Sequence, residues 1–139
     1  MKDYKFNDIF EGLEESFNVI VDSEKLDKFL ELSGDSNPLH TDIEYSLLKG
    51  FPGRVVYGML TASFYSTLVG VHLPGKYCIL HSINIQFSNP VYIDDLLTIT
   101  GKVSYINDAY KQFEIKATIV NQHNKKVSKS TIKVGVIDE

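Results

Sequence analysis

The segment Ser33 to Asp42, SGDSNPLHTD, places Asp35, Asn37, His40 and Asp42 within eight residues. Asn37-Pro38 favours a turn over a continued helix, because a residue before proline is pushed out of the helical region. Asp35 and His40 stand five apart across that turn, so their side chains can converge on one point. A carboxylate and an imidazole beside one water make a competent acid/base pair: imidazole changes charge near neutral pH, and the carboxylate can orient it or share the proton. Two other readings of the same residues stay open. In one, Asp35 caps a turn, Asn37 forms an Asx-turn and His40 is exposed, which is the common fate of such residues. In the other, Asp35, His40 and Asp42 hold a metal, although the His-rich or Cys-rich spacing of a zinc site is missing.

The elements that must position this segment can be read on either side of it. Phe17 to Val21 is apolar and β-branched and predicts a strand. Ser23 is placed to cap the following helix, whose Leu26, Phe29 and Leu30 fall at i, i+3 and i+4, and Gly34 is a stop signal. Asp42 is placed to cap a short helix, Ile43 to Leu48, ending near Gly50, and Phe51-Pro52-Gly53 reads as a turn. From Val55 to Val69 the chain reads VVYGMLTASFYSTLV, with no charged side chain. A helix apolar all round must be buried, and about 15 residues are too few to span a bilayer. Its Gly58, Ala62, Ser63 and Ser66 suggest close approach of a sheet.

The second half predicts strands. In Cys78 to Ser88, Ile79, His81, Ile83, Ile85 and Phe87 share one face and Ser82, Asn84, Gln86 and Ser88 the other. Leu97, Ile99, Val103 and Tyr105 repeat the pattern, opposite Thr98, Thr100, Lys102 and Ser104. It returns in Phe113, Ile115, Ala117 and Ile119. A last strand runs to Ile137, with Ile132, Val134 and Val136 on one side. Asn107-Asp108 and Asn121 to Asn124 supply turn chemistry for antiparallel hairpins. One buried helix followed by such a sheet is an α+β arrangement. An antiparallel β-sheet wrapped around a buried central helix is the hotdog fold, here expected as one domain over residues 1–139. Uncovered edges and margins predict a homodimer.

Composition narrows the function. Fourteen basic and 18 acidic residues leave a net charge of −4, which argues against nucleic acid or an anionic membrane as the main partner. The stretch MKDYKFNDIFEGLEE does not read as a signal peptide, and no stretch approaches the 18 apolar residues or more of a membrane span. A lone cysteine, Cys78, forms no intrachain disulfide and fits a reducing compartment. The expectation is a cytoplasmic protein. Cys78 has no flanking charge to activate it and reads as inert. Ser63 and Ser66 lie in no nucleophile elbow. His72 and His123 fall in predicted loops, and His81 reads as a core histidine. Lys125, Lys126, Lys129 and Lys133 read as a solvated strand face, or as a contact for coenzyme A phosphates or an acidic carrier protein.

The loop SGDSNPLHTD, the helix start YGMLTAS and the strand end Phe87-Ser88-Asn89-Pro90-Val91 with Asp95 together resemble the MaoC-like hydratase family, which includes the (R)-specific enoyl-CoA hydratases. The resemblance covers Leu30 to Leu97. It implies that Asp35 and His40 are the catalytic pair. They would add water to the β-carbon of a trans-2-enoyl thioester and deliver a proton to the α-carbon. It implies that the backbone N–H of Gly58 holds the thioester carbonyl, as a helix N-terminus suits a developing oxyanion. Ser66 would support the pair or the water, and Asn37 would hold the loop. No metal and no cofactor are implied beyond the coenzyme A or acyl carrier protein that carries the substrate. Two positions depart from the family pattern. Tyr57 stands where histidine is usual, and Asp94 where glycine precedes the aspartate. Two rival functions remain on the residues alone: a hotdog thioesterase, for which the helix lacks an acidic residue, and a non-catalytic acyl-thioester binding protein.

Overall fold

The computed structural model describes residues 1–137. Five strands form one antiparallel sheet in the order β1-β3-β4-β5-β2. They are β1 (Glu14–Ile20), β2 (Cys78–Phe87), β3 (Leu96–Asn107), β4 (Gln112–Val120) and β5 (Lys126–Val136). Helices α1 (Ser23–Ser33), α2 (Pro38–Thr41), α3 (Ile43–Leu48) and α4 (Gly58–Thr67) lie between β1 and β2. The α+β arrangement is the expected one, with α4 against the inner face of a twisted sheet.

The sheet centre follows the alternation of its sequence. Leu97, Ile99, Val103, Phe113, Ile115, Ala117, Ile119, Ile132 and Val134 are all buried on the inner face. The β3–β4 and β4–β5 connections are hairpins. The Asn107 side chain accepts from the amides of Ala109 and Tyr110, and that of Asn121 from His123 and Lys125. Against this face α4 buries Leu60, Phe64 and Tyr65, with Leu68 just beyond it. The Tyr65 hydroxyl lies 2.7 Å from Ser128 Oγ, which pins helix to strand. The close approach depends on the sheet: a Cβ on Gly101 of β3 would come within 2.7 Å of Leu68 Cδ2 and 3.0 Å of Ile115 Cγ2. On the helix side, Gly58 gives the same closeness at β2, where an added Cβ would come within 3.2 Å of the Phe87 ring.

Several boundaries differ from expectation, each for a local reason. Asp22, not Ser23, caps α1, its carboxylate accepting from Lys25 N–H. Gly34 does end that helix, in the left-handed conformation at φ 74°. The central helix starts at Gly58, not Val55, because Val55 bridges to Tyr92 and Val56 N–H bonds to Val91. It then loosens into a π-turn, Leu68–His72, where His72 stacks on Phe17 at 4.6 Å.

Two bulges break the alternation. One lies between Leu80 and Ser82, which puts Leu80 opposite Val134 and Ile83 opposite Ile132. His81 and Ile79 therefore face outward over Gly135. His81 is exposed and bonds Gln112 at 2.7 Å; it is no core histidine. The other bulge, between Val103 and Tyr105, turns Tyr105 out and brings Ile106 opposite Phe113. Strand β2 itself is a mostly exposed edge, with Leu80, Ile83 and Phe87 uncovered, rather than a half-buried strand. The last strand ends at Val136, one residue before Ile137.

Candidate active site

The acidic loop is built from contacts two to five residues long. Asp35 Oδ1 accepts from Asn37 N–H at 3.1 Å, and Asn37 Oδ1 accepts from Leu39 N–H at 2.9 Å, capping α2 behind Pro38. Thr41 Oγ1 donates to the Asn37 carbonyl at 3.3 Å. Asp42 Oδ1 caps α3 by accepting from the amides of Glu44 and Tyr45. That carboxylate is committed to the helix. Among the described residues no three metal-ligating side chains gather as a cation site, and the Asp35–His40–Asp42 alternative gains no support. The Asn37 side chain is likewise committed, to the cap of α2.

His40 is fixed from several sides. Its Nδ1 lies 2.7 Å from the Val55 carbonyl oxygen. A carbonyl only accepts, so Nδ1 carries the proton and Nε2 of the neutral ring keeps its lone pair. The His40 carbonyl accepts from Arg54 Nε at 2.7 Å, and Arg54 reaches Asp27 at 3.5 Å. The ring stacks on Tyr57, centroids 4.1 Å apart.

Tyr57 is nearly fully buried. It also packs on Phe29 at 4.7 Å, and its hydroxyl donates to the Asp35 carbonyl at 2.7 Å. Burial, with the Asp35 charge nearby, raises the Tyr57 phenol above its ordinary value and keeps it a donor. One side chain thus supports His40 and ties down the backbone of Asp35. The tyrosine that replaces the family's usual histidine is a brace for both members of the pair. Its position in the sequence marked it as a departure; nothing local showed what it would touch.

Asp35 and His40 line one cavity of about 280 Å³, with Phe29, Ser33, Tyr57, Gly58, Met59 and Phe87. His40, Gly58 and Phe87 also line an adjoining cavity of about 240 Å³ that runs under Ser88 to Val91 and against Val127. Gly58 opens α4, and Tyr57 offers no side-chain cap to the first-turn amides. These donors carry the positive end of the helix dipole. A Cβ on Gly58 would press to 3.2 Å from the Phe87 ring, narrowing the passage between the cavities.

Ser66 is placed differently. It is exposed on α4, eight residues past Gly58, about 12 Å along the axis. It lines neither cavity of the pair. The motif's Asp95 is structural: it accepts from Tyr92 N–H at 2.9 Å and from Gln122 Nε2 at 2.7 Å. Asp94 sits at φ 72°, a left-handed position that explains the glycine usual there and that aspartate tolerates better than most residues.

The class of protein follows from the sheet and its buried helix: this is a hotdog fold. The MaoC like domain family matches residues 8–130, and the chain belongs to that family. It is 35% identical over 99 residues to an (R)-specific enoyl-CoA hydratase of Rhodospirillum rubrum, covering 71% of this chain and 69% of that one. It is 38% identical over 76 residues to a mitochondrial 3-hydroxyacyl-[acyl-carrier-protein] dehydratase of Arabidopsis thaliana, covering 55% of this chain and 45% of that protein. The solved (R)-hydratase from A. caviae superposes with a TM-score of 0.89 at 26% identity, over 92% of this chain and 97% of that one. Among the described residues no helix is long and apolar enough to cross a membrane.

Proposed function

We propose that this protein is a hydro-lyase that adds water reversibly to a trans-2-enoyl thioester, giving the (R)-3-hydroxyacyl thioester. It runs in reverse as a 3-hydroxyacyl-thioester dehydratase. The observation that carries this reading is the convergence of Asp35, His40 and the Gly58 end of α4 on one cavity. The similarity to enzymes named for both directions supports it.

The chemistry follows from the placement. The thioester carbonyl accepts from the Gly58 N–H, which draws electron density from the conjugated double bond. A water held between Asp35 and His40 loses a proton to the pair as its oxygen bonds the β-carbon. The electron pair of the double bond moves toward the carbonyl oxygen, and the resulting enolate takes a proton at the α-carbon. No electron leaves or enters the system, so the step needs no redox cofactor, and general acid/base action with amide donors supplies the catalysis. The (R) outcome rests on the relatives. Ser66 lines neither cavity that His40 and Gly58 share, so this reading of the chemistry gives it no step.

A homodimer is part of the same proposal. Met59, Ser63 and Ser66 form an exposed stripe on α4, beside the exposed apolar edge of β2. A second copy laid against this margin would cover both and complete the wall of the cleft. The lone Cys78 fits a cytoplasmic setting. The rival thioesterase finds no acidic residue on α4 to serve it.

The test is an ultraviolet assay with a short trans-2-enoyl-CoA on wild type and on His40→Ala. Loss of enoyl absorbance in the wild type, reduced by about 10²–10⁴-fold in the variant, is the expected result. A variant of unchanged activity would overturn the role of His40.

A further inference from the structure

The charge of this chain is unevenly spread. Residues 96–137 hold seven lysines against two acidic residues, although the whole chain is net −4. The sheet sorts these lysines onto its outer face. Register sets Lys102 between Glu14 of β1 and Lys116 of β4, and Lys129 and Lys133 lie on the same side of β5, opposite Thr118 and Glu114. Like charges directly opposed across strands are destabilising; Glu14 across from Lys102 and Glu114 beside Lys116 answer that pair, whereas neither Lys126 nor Lys129 faces a carboxylate across a strand. The edge strand adds only neutral groups there, Ser82, Asn84 and Gln86. Lys116, Lys126 and Lys129 line a depression of about 360 Å³ with Asn84, Gln86 and Thr131. The one carboxylate on this part of the face, Glu114, is held by Lys116 at 3.5 Å and Ser104 at 3.1 Å. Among the described residues Lys126, Lys129 and Lys133 form no ion pair.

This face adjoins the cleft. Asn89 Nδ2 donates to the Lys126 carbonyl at 2.7 Å, and Ser88 N–H donates to that of Val127 at 2.9 Å. Ser88, Asn89 and Val127 line the cavity that also holds His40 and Gly58. From Lys126 to Lys133 the lysines span roughly 23 Å along β5.

We propose that the basic outer face docks the acidic surface of a protein that carries the acyl thioester, and so presents the acyl group to the neighbouring cleft. This rests on the hydratase reading for its substrate but not for its surface. The length and make-up of the field select the occupant. Three of the lysines meet at the depression, but the charge runs on past it to Lys133, further than one group of phosphates needs; arginine reads such phosphates best, and this chain's single arginine, Arg54, lies elsewhere, beside His40. A row of lysines spread over two dozen ångströms suits an acidic helix, and it steers encounter rather than fixing one phosphate.

The experiment uses the double variant Lys126→Glu, Lys129→Glu, both exposed side chains outside the catalytic cleft. The same enoyl group is offered on an acyl carrier protein, on coenzyme A and on N-acetylcysteamine. Binding of labelled holo acyl carrier protein is measured beside turnover. We expect carrier binding and kcat/KM on the carrier to fall by about tenfold or more, with added salt giving the same trend in the wild type. Turnover of the N-acetylcysteamine thioester stays unchanged. An equal fall on coenzyme A and on the carrier overturns the proposal in favour of phosphate contact alone. Unchanged carrier binding in the variant overturns it outright. Carrier binding that is lost in the variant, in a protein that turns over none of the three substrates, leaves the docking face standing and removes the hydratase reading instead.

Discussion

The loop from Ser33 to Asp42 and the inner face of β3 to β5 are held together in opposite ways. The loop is exposed along most of its length, and its order comes from polar bonds two to five residues apart, capped by Asn37 and Asp42. The sheet face is dry, and its order comes from side chains far apart in sequence, such as Ile99, Ile115 and Ile132. The first arrangement fixes Asp35 and His40 while leaving them reachable. The second fixes a platform and leaves nothing reachable. The two meet at Tyr57, which is buried like the core and hydrogen-bonded like the loop. The comparison therefore predicts that damage to the loop removes activity and spares the fold, whereas damage to the sheet face does the reverse.

The largest effect belongs to the loop. Asp35→Asn should lower kcat by about 10²–10⁴-fold, since the amide keeps the shape and loses the basic carboxylate. Thermal melting should move little, because Asp35 is exposed and the Asn side chain can still accept from Asn37 N–H. A large drop in melting temperature would show that the loop is part of the stability core after all. The opposite variant is Ile115→Ala. Ile115 is fully buried at the sheet centre, and its loss should cost about 2–5 kcal/mol in chemical denaturation. Below its melting point that protein should keep most of its kcat/KM.

Tyr57→Phe probes the junction. It keeps the ring under His40 and removes only the hydroxyl that holds the Asp35 carbonyl. A hydrogen bond of this kind contributes about 1 kcal/mol. The expected result is a fall in kcat of up to about tenfold, with KM nearly unchanged, and partial recovery in Tyr57→His, which restores a polar ring. A change in KM alone would mean that Tyr57 shapes the pocket and does not position the pair.

The same contrast explains what was legible in the sequence. The loop could be read because its bonds are local: a carboxylate, an asparagine before proline and a histidine already specify turn, cap and exposure. The inner positions of β4 could be read because their alternation is unbroken from Phe113 to Ile119. The bulges at Leu80/Ser82 and Val103/Tyr105 could not, because residue types there look regular and only pairing with β5 and β4 displaces them. Ile79, His81 and Tyr105 therefore sit on the face opposite to the one the alternation predicts. The helix start moved from Val55 to Gly58 for a similar reason. Val55 and Val56 are drawn off by a segment more than thirty residues later, at Val91 and Tyr92. Ser66 fits the motif in sequence and stands eight helical residues past Gly58, outside both cavities of the cleft.

The smallest effect tests the core side alone, through pH. Cys78 opens β2 with its side chain packed against the hydrophobic cluster, and burial pushes its thiol up to about 11 from an ordinary value of 9.0. Between these values the unfolded chain has released the proton and the native chain retains it. The unfolded state then binds fewer protons, so stability falls as pH rises. The Cys78 contribution is fully present below about pH 9 and is lost as pH climbs through about 11. Cys78→Ala should flatten part of that decline in denaturation curves taken from pH 8.5 to 11. Some slope should remain, because burial raises the Tyr65 phenol as well and acts in the same direction. The effect must be absent from turnover near neutral pH, where the thiol is protonated in both states. If Cys78→Ala instead altered kcat at pH 7, the edge strand would belong to the working site, and the division between a reactive loop and an inert platform would fail at β2.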